Sequence, residues 1–269
     1  MKWVPLHVHS QYSILDAAAD IYDIAQKAAA YHMPAVALTD HGNMFGSVDF
    51  YKACKDSKVK PILGCEFYVA PESRLDKKKE YGARTSFHLT VLAKNEVGYH
   101  NLCKLSSIGY LEGFYYFPRI DHSVLKQYSE GLICLSGCQS SLTSYEVLNG
   151  TKESLLDKIR WYQDLLGEDY YLELQRHQMT EEDMRSDGLY QETWLLQYYQ
   201  DYIKKQDKIN QTLLEISHEY NIKVVATNDS HYIERSDWRA HEILLNIQSG
   251  EPTEIWEKDS QGNPKFRVP

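Results

Sequence analysis

Leu6-His7-Val8-His9-Ser10, near one end of the chain, and Asn228-Asp229-Ser230-His231, near the other, each place two metal-binding side chains two residues apart. On an extended strand residues i and i+2 face the same side, so His7 with His9, and Asp229 with His231, can grip one ion together. One such pair is weak, and two raise the odds of a shared site. Working outward, metal-binding residue types recur at the end of one apolar segment after another: Thr39-Asp40-His41-Gly42, Gly64-Cys65-Glu66, Phe87-His88-Leu89 and Ser136-Gly137-Cys138. In a parallel strand-helix barrel these ends lie on one face, so residues far apart in sequence meet in one pocket. The implied molecule is an α/β, TIM-like barrel with a multinuclear metal site of the hydrolytic kind at the C-terminal ends of its strands.

Seven apolar segments rich in β-branched or aromatic residues read as strands: Trp3 to His9, Ala35 to Thr39, Pro61 to Val69, Phe87 to Ala93, Leu132 to Ser136, Tyr170 to Leu174 and Lys223 to Thr227. Amphipathic stretches alternate with them. Ile21 to His32 follows a cap at Asp20, then come Met44 to Ser57, Asn95 to Leu111, Thr151 to Leu166 ending at Gly167, and Gln191 to Tyr220, long enough for one helix or two. The alternation predicts a parallel sheet closed into a barrel. Thr180 to Gln206 is longer than a simple barrel connection and reads as an insertion, with a partner surface as its expected use. Glu72 to Arg84, with Lys77, Lys78 and Lys79, reads as a solvated surface turn rather than a nucleic-acid patch. One domain is expected over 1–250. From 251 to 269 the periodicity is lost, and that stretch is expected to begin a linker into a following region.

At 269 residues, with 43% hydrophobic and 25% charged residues, the chain belongs with soluble globular proteins. No apolar run is long enough to cross a bilayer, and no leader precedes the first ligand string, so a cytoplasmic location is expected. Five irregularly spaced cysteines suit a reducing compartment; Cys54, Cys65, Cys103 and Cys134 read as small core residues. A formal charge of −9 has the wrong sign for strong non-specific duplex binding. Bound divalent cations would reverse the local field, so a phosphate substrate stays open.

Several residues carry two readings. Glu66 ends an apolar strand, where a carboxylate is costly unless paired or metal-bound, and could bridge two ions. His88 alone reads as a hydrogen-bonded core histidine and, in company, as a ligand. Cys138 is either a small buried hydrophobe or a thiolate ligand. Asp16 is either a helix N-terminal residue or a ligand. Asp40 reads as the partner that orients the neighbouring His41. Arg119 fits a bidentate phosphate clamp and equally a surface salt bridge with Asp121 or another carboxylate. His177 fits a general acid or substrate contact, and also an exposed loop histidine.

His7-Val8-His9-Ser10, Thr39-Asp40-His41-Gly42-Asn43-Met44, Phe87-His88-Leu89-Thr90-Val91-Leu92-Ala93-Lys94-Asn95, Pro118-Arg119-Ile120-Asp121 and Ala226-Thr227-Asn228-Asp229-Ser230-His231-Tyr232, in this order, resemble the polymerase and histidinol phosphatase (PHP) domain family, most closely its branch in bacterial DNA polymerase III alpha subunits. The resemblance covers nearly the whole chain. It implies a distorted seven-stranded (β/α)7 barrel with three divalent metal ions, usually zinc, with manganese or iron as alternatives. Carried over by position, His7, His9, Glu66 and Asp229 would hold one ion, Glu66, His88 and Cys138 a second, and Asp16, His41 and His231 a third. All nine positions hold metal-binding residue types here. Asp229, His9 and Glu66 would be the catalytic core of the site.

The activity implied is phosphodiester hydrolysis, a 3′-to-5′ exonuclease that trims a DNA 3′ end, either single-stranded or a primer terminus. The partners implied are the remainder of a polymerase chain and replisome subunits, with no membrane. The polymerase carboxylates of that family lie beyond residue 269. A phosphomonoesterase of the histidinol phosphatase type is the nearest alternative. A non-catalytic scaffold that stabilises the polymerase and docks a separate proofreading subunit is the alternative from another class.

Overall fold

The computed structural model describes residues 3–78, 84–186, 188–191 and 193–250. The chain runs through α1 (Ile21–Ala30), β1 (Ala35–Leu38), α2 (Ser47–Asp56), β2 (Lys60–Val69), β3 (Phe87–Ala93), α3 (Glu96–Leu111), β4 (Arg119–Ile120) and α4 (His122–Gln127). It continues with β5 (Leu132–Leu135), α5 (Leu142–Asn149), α6 (Lys152–Leu166), β6 (Tyr170–Gln175), α7 (Glu181–Ser186), α8 (Thr193–Tyr220), β7 (Val224–Thr227) and α9 (Trp238–Ser249). The strands form one curled sheet in the order β1-β2-β3-β5-β6-β7, with β4 paired to β2.

Two expectations about this sheet need correcting. It is not all parallel: β3 runs antiparallel to both β2 and β5. The 70–86 connection holds no described helix, and antiparallel neighbours do not need a helical crossover. His88 therefore stands at the start of its strand, yet it pairs with Tyr68 near the end of β2 and so reaches the same face. The second correction concerns residues 3–9, which form no regular strand. Val8 makes a single bridge to Ser230, and Pro5 has no N–H to give a ladder. The segment nevertheless ties the sheet's two edges together. Ala37 N donates to Pro5 O and Thr39 N to Val8 O on one side, while His9 N donates to Ser230 O and Ser230 N to His7 O on the other.

Helix starts follow their caps. Asp20 accepts from Tyr22 N, Asn95 from Gly98 N, and Thr151 forms a reciprocal capping box with Ser154. The 191–220 stretch is one helix from Thr193, and its fully buried positions begin at Gln206. Within the 180–206 segment lie α7 and the first half of α8; α7 is tied to the body by an ion pair between Asp183 and Arg235. Lys77 and Lys78 are exposed, as a surface turn requires. Cys54, Cys65 and Cys134 are buried, whereas Cys103 on α3 is half-buried. Residues 251–269, expected to begin a linker, lie outside the described residues. Among the described residues no helix is long and apolar enough to cross a membrane.

Side-chain alternation sorts the sheet into an outer and an inner face. Outward residues such as Phe67, Leu89, Val91, Leu132 and Leu172 form the main core with residues of α3, α6 and α8. The inner face changes chemistry along its length. Its lower end packs Ala37, Leu92 and Leu135 with Leu6, Ile62, Tyr171 and Val225. One or two pleats higher, the same strands carry Glu66, Thr90, Glu173, Gln175 and Thr227, all buried.

Candidate metal centre

All nine sequence-predicted ligands converge at this upper end. His7, His9 and Glu66 are sealed from solvent, while Asp229, His41, Asp16, His231 and His88 are each about one-fifth exposed or less. His7 Nε2 lies 3.3 Å from Glu66 Oε1 and 3.2 Å from Asp229 Oδ1. His9 Nε2 lies 3.4 Å from Glu66 Oε2 and 3.1 Å from Asp229 Oδ1. Ligands about 2.0–2.1 Å from a tetrahedral zinc sit about 3.3 Å apart, so these four side chains have the spacing of a coordination shell. Among the described residues, His7 Nε2, His9 Nε2, Glu66 Oε2 and Asp229 Oδ1 are buried without a hydrogen-bond partner. Orphaned buried polar atoms are expensive, and a cation in their midst removes that cost.

Two further groups adjoin the first. His41, Glu66 and His88 form one, and His9, His41 and His231 another. Cys138 Sγ is 3.4 Å from Glu66 Oε1 and 3.5 Å from His88 Nδ1, and so borders the second group. Asp16 Oδ2 stands 2.7 Å from His41 Nε2 and 3.3 Å from His231 Nε2. Glu66 touches every imidazole of the first two groups and is placed to bridge them.

The backbone is shaped to deliver these groups. Asp229 has a φ of +51°, a left-handed conformation that aspartate tolerates better than most residues, and it is clamped by the flanking bonds to Ser230. Gly137, at φ +88°, precedes Cys138; a Cβ there would meet His88 O at 2.8 Å. Gly42 follows His41 at φ +65°, where a Cβ would meet Pro118 Cγ at 2.6 Å.

Behind the ligands, hydrogen bonds set imidazole orientation. His7 Nδ1 donates to Glu173 Oε1 at 2.7 Å, which leaves Nε2 bare toward the pocket. Glu173 also accepts from Thr227, Thr90 and the Gly137 N–H. Sequence reasoning missed this residue, although its signal was present: Glu173 and Gln175 sit two apart in the otherwise apolar Tyr-Tyr-Leu-Glu-Leu-Gln strand. Contrary to expectation, Asp40 does not orient His41; its oxygens accept from Ser10 N, Ser10 Oγ and Ser13 Oγ. Ser13 Oγ in turn accepts from His9 Nδ1 at 2.9 Å, so Asp40 acts on His9 through a hydroxyl. His41 uses both ring nitrogens on Glu66 and Asp16.

Protonation of the cluster's own groups follows from crowding. Burial would raise the Glu66 and Asp229 carboxyls, but His88, His7 and His41 around the first, and His7 and His9 around the second, hold both well below the usual range. Burial pushes His41 down, yet Glu66 and Asp16 outweigh it and set it at about 10. Burial, with His41 and His231 nearby, lowers His9. Burial and then Glu66 and Asp229 push the Cys138 thiol well up. Imidazolium protons thus stand where the carboxylates call for cations, and a dication would displace them and release the thiol proton.

The two expected substrate residues sit elsewhere. Arg119 is 2% exposed, and its guanidinium donates to the carbonyls of Gly113, Thr85, Arg74 and Asp76. That fork is spent on main chain, which leaves it neither a phosphate clamp nor a partner of Asp121. Arg74 pairs with Asp121 instead. His177 is held between Tyr202 Oη at 2.7 Å and Asn228 O at 2.6 Å, bracing the turn that carries Asp229. His241, from α9, lies 5.6 Å from the His231 ring and was not anticipated.

Fold and site define the class: an α/β, barrel-like domain whose inner upper end clusters imidazoles and carboxylates in metal-binding geometry. The PHP domain model matches residues 5–177, and the chain belongs to that family. It is 53% identical over 269 residues to DNA polymerase III subunit alpha of Chlamydia pneumoniae, covering 100% of this chain and 21% of that protein. It is 45% identical over 249 residues to the protein of the same name from Borreliella burgdorferi, covering 93% of this chain and 20% of that one. The chain thus spans about one-fifth of the length of these curated relatives. A solved structure from Bifidobacterium adolescentis, assigned as a metal-dependent phosphoesterase, shares the fold with a TM-score of 0.51 at 11% identity, over 86% of this chain and 88% of that one.

Proposed function

We propose that this chain is a metal-dependent phosphodiesterase that trims DNA 3′ ends as a 3′-to-5′ exonuclease, working as the PHP domain of a replicative polymerase. The observation that carries the reading is the set of orphaned ligand atoms about His7, His9, Glu66 and Asp229, spaced like a coordination shell. Kinship with DNA polymerase III alpha subunits supports a primer terminus or single-stranded 3′ end as substrate, the rest of a polymerase chain and replisome subunits as partners, and the cytoplasm as location. His7, His9, Glu66 and Asp229 would hold one ion, Glu66, His88 and Cys138 a second, and Asp16, His41 and His231 a third. Mixed imidazole, carboxylate and thiolate donors suit zinc, with manganese or iron as alternatives.

Bound there, divalent ions supply a water of lowered pKa and offset the charge on phosphoryl oxygens. The chain's own share is positioning and charge. His7, His9 and Glu66, sealed from solvent, anchor the site from below. Glu173 and Ser13 hold Nδ1 of the two histidines so that both Nε2 lone pairs face the pocket. Asp16, His41 and His88 line the open cavity above and define where a phosphate would come to rest.

The test is cleavage of a 3′-recessed oligonucleotide compared with a phosphomonoester, for the metal-loaded protein and for Asp229→Asn and His9→Ala. Preferential cleavage of the oligonucleotide that disappears in both variants is expected. Preference for the monoester would favour the histidinol phosphatase type. Full cleavage in both variants would sink the site assignment, and no metal and no cleavage would favour the scaffold.

A further inference from the structure

The cavity above the ligands, of about 460 Å³, has an aromatic wall that the hydrolytic reading does not use. Asp16, His41 and His88 lie at its base, Arg84 on its rim, and Tyr68 and Phe117 along one side. The Phe117 ring stacks on Tyr68 at 4.5 Å and 20° between planes, and Tyr68 stacks in turn on His41 at 5.6 Å. Phe117 is 41% exposed, although it belongs to a tightly built turn. Tyr115 N donates to Phe117 O, Tyr116 between them is left-handed at φ +60°, and the buried Arg119 lies against the Tyr115 ring. A strained, braced turn that leaves a large apolar ring facing a polar cavity calls for a ligand with a flat face.

We infer that Phe117, backed by Tyr68, is the platform on which the base of a 3′-terminal nucleotide stacks while its phosphate rests on the metal ligands. The assignment rests on the phosphodiesterase reading above and supplies its missing substrate contact. Phe117 and the ligands Asp16, His41 and His88 line the same cavity, so one ligand could touch both. The volume lies within the range of about 300–1,000 Å³ usual for small-ligand pockets. With a formal charge of −9 the chain has little long-range grip on DNA, so affinity must come from short-range contacts. Stacking supplies it without regard to base identity, as trimming any terminus demands.

The experiment measures binding by fluorescence anisotropy of two short labelled single strands with hydrolysis-resistant phosphorothioate linkages. They are identical except that one ends in thymidine and the other in an abasic tetrahydrofuran residue. The metal-loaded wild type is expected to bind the thymidine end roughly tenfold more tightly, Phe117→Ala to level the two, and Phe117→Tyr to keep the preference. Equal wild-type affinity for both strands, or equal weakening of both by Phe117→Ala, overturns the subsite. Cleavage of ordinary strands is scored separately. Cleavage without base preference removes the subsite and leaves the hydrolytic reading standing; base preference through Phe117 without cleavage does the reverse. Binding of neither strand overturns both.

Discussion

The two ends of the sheet's inner face are built from the same strands and have opposite energetics. On β6 Tyr171 faces the lower end, and Glu173 and Gln175 the upper; on β3 Leu92 lies low, and Thr90 and His88 high. A shift of two residues along a strand converts an apolar layer into a shell of polar and ionisable groups. Burying the lower side chains contributes about 1.5–3 kcal/mol each. The upper groups cost several kcal/mol per uncompensated charge. An arrangement that gives up stability in one layer and gains it in the next marks the upper layer as the functional one.

Substitutions in the two layers should therefore separate function from folding. The largest effect is expected from Glu66→Gln or Asp229→Asn, which should lose bound metal and at least roughly a hundredfold in hydrolysis, since a bound ion contributes several kcal/mol to such reactions. Circular dichroism should show the fold retained, and unfolding of either variant would blur the distinction. Next comes Leu92→Ala at the lower end, expected to lower stability by about 2–4 kcal/mol in denaturant titration while metal content stays at the wild-type level. Loss of metal in that variant would show that the two ends are not independent.

Glu173→Gln probes the boundary between the layers. It keeps the shape but removes the charge behind His7, and metal affinity measured against a competing chelator should weaken roughly 10- to 100-fold. Unchanged affinity would make Glu173 a structural carboxylate. The smallest effect is expected at Asp121, a carboxylate outside the cluster that caps α4 and pairs with Arg74. Burial opposes its ionisation, but Ser123, Arg74 and the Val124 N–H set its pKa at about 2. An ordinary aspartate titrates near 3.9. Because the folded value is the lower one, Asp121 stabilises the fold above about pH 4 and loses that contribution as pH falls toward 2. Asp121→Ala should cost about 1 kcal/mol at neutral pH, and the difference from wild type should fade in acid. A constant difference across that range would exclude the ionised cap.

Much of this was legible in the chain. Six of the seven expected strands occur, because alternation and β-branched content report half-buried sheet directly. The ligand types were visible because polar residues that interrupt apolar segments stand out. Strand direction was not legible: Phe87 to Ala93 reads the same either way, and a surface turn such as Glu72 to Arg84 can join parallel or antiparallel neighbours in a sequence pattern. The 3–9 segment looked like a strand from its apolar alternation, but Pro5 and two different edge partners make it a hinge-like tie. Arg119 misled because a guanidinium's five donors serve carbonyls as well as phosphates, and sequence does not say which carbonyls are near. Phe117 carried no signal at all, since an aromatic residue beside Pro118 reads as ordinary core.

The most direct test of the metal centre is elemental analysis of protein purified without chelator or metal-affinity resin. Roughly two to three equivalents of a divalent transition metal per chain, falling sharply in Asp229→Asn, is the predicted result. Metal content near zero in the wild type, unchanged after reconstitution with zinc or manganese, would contradict it.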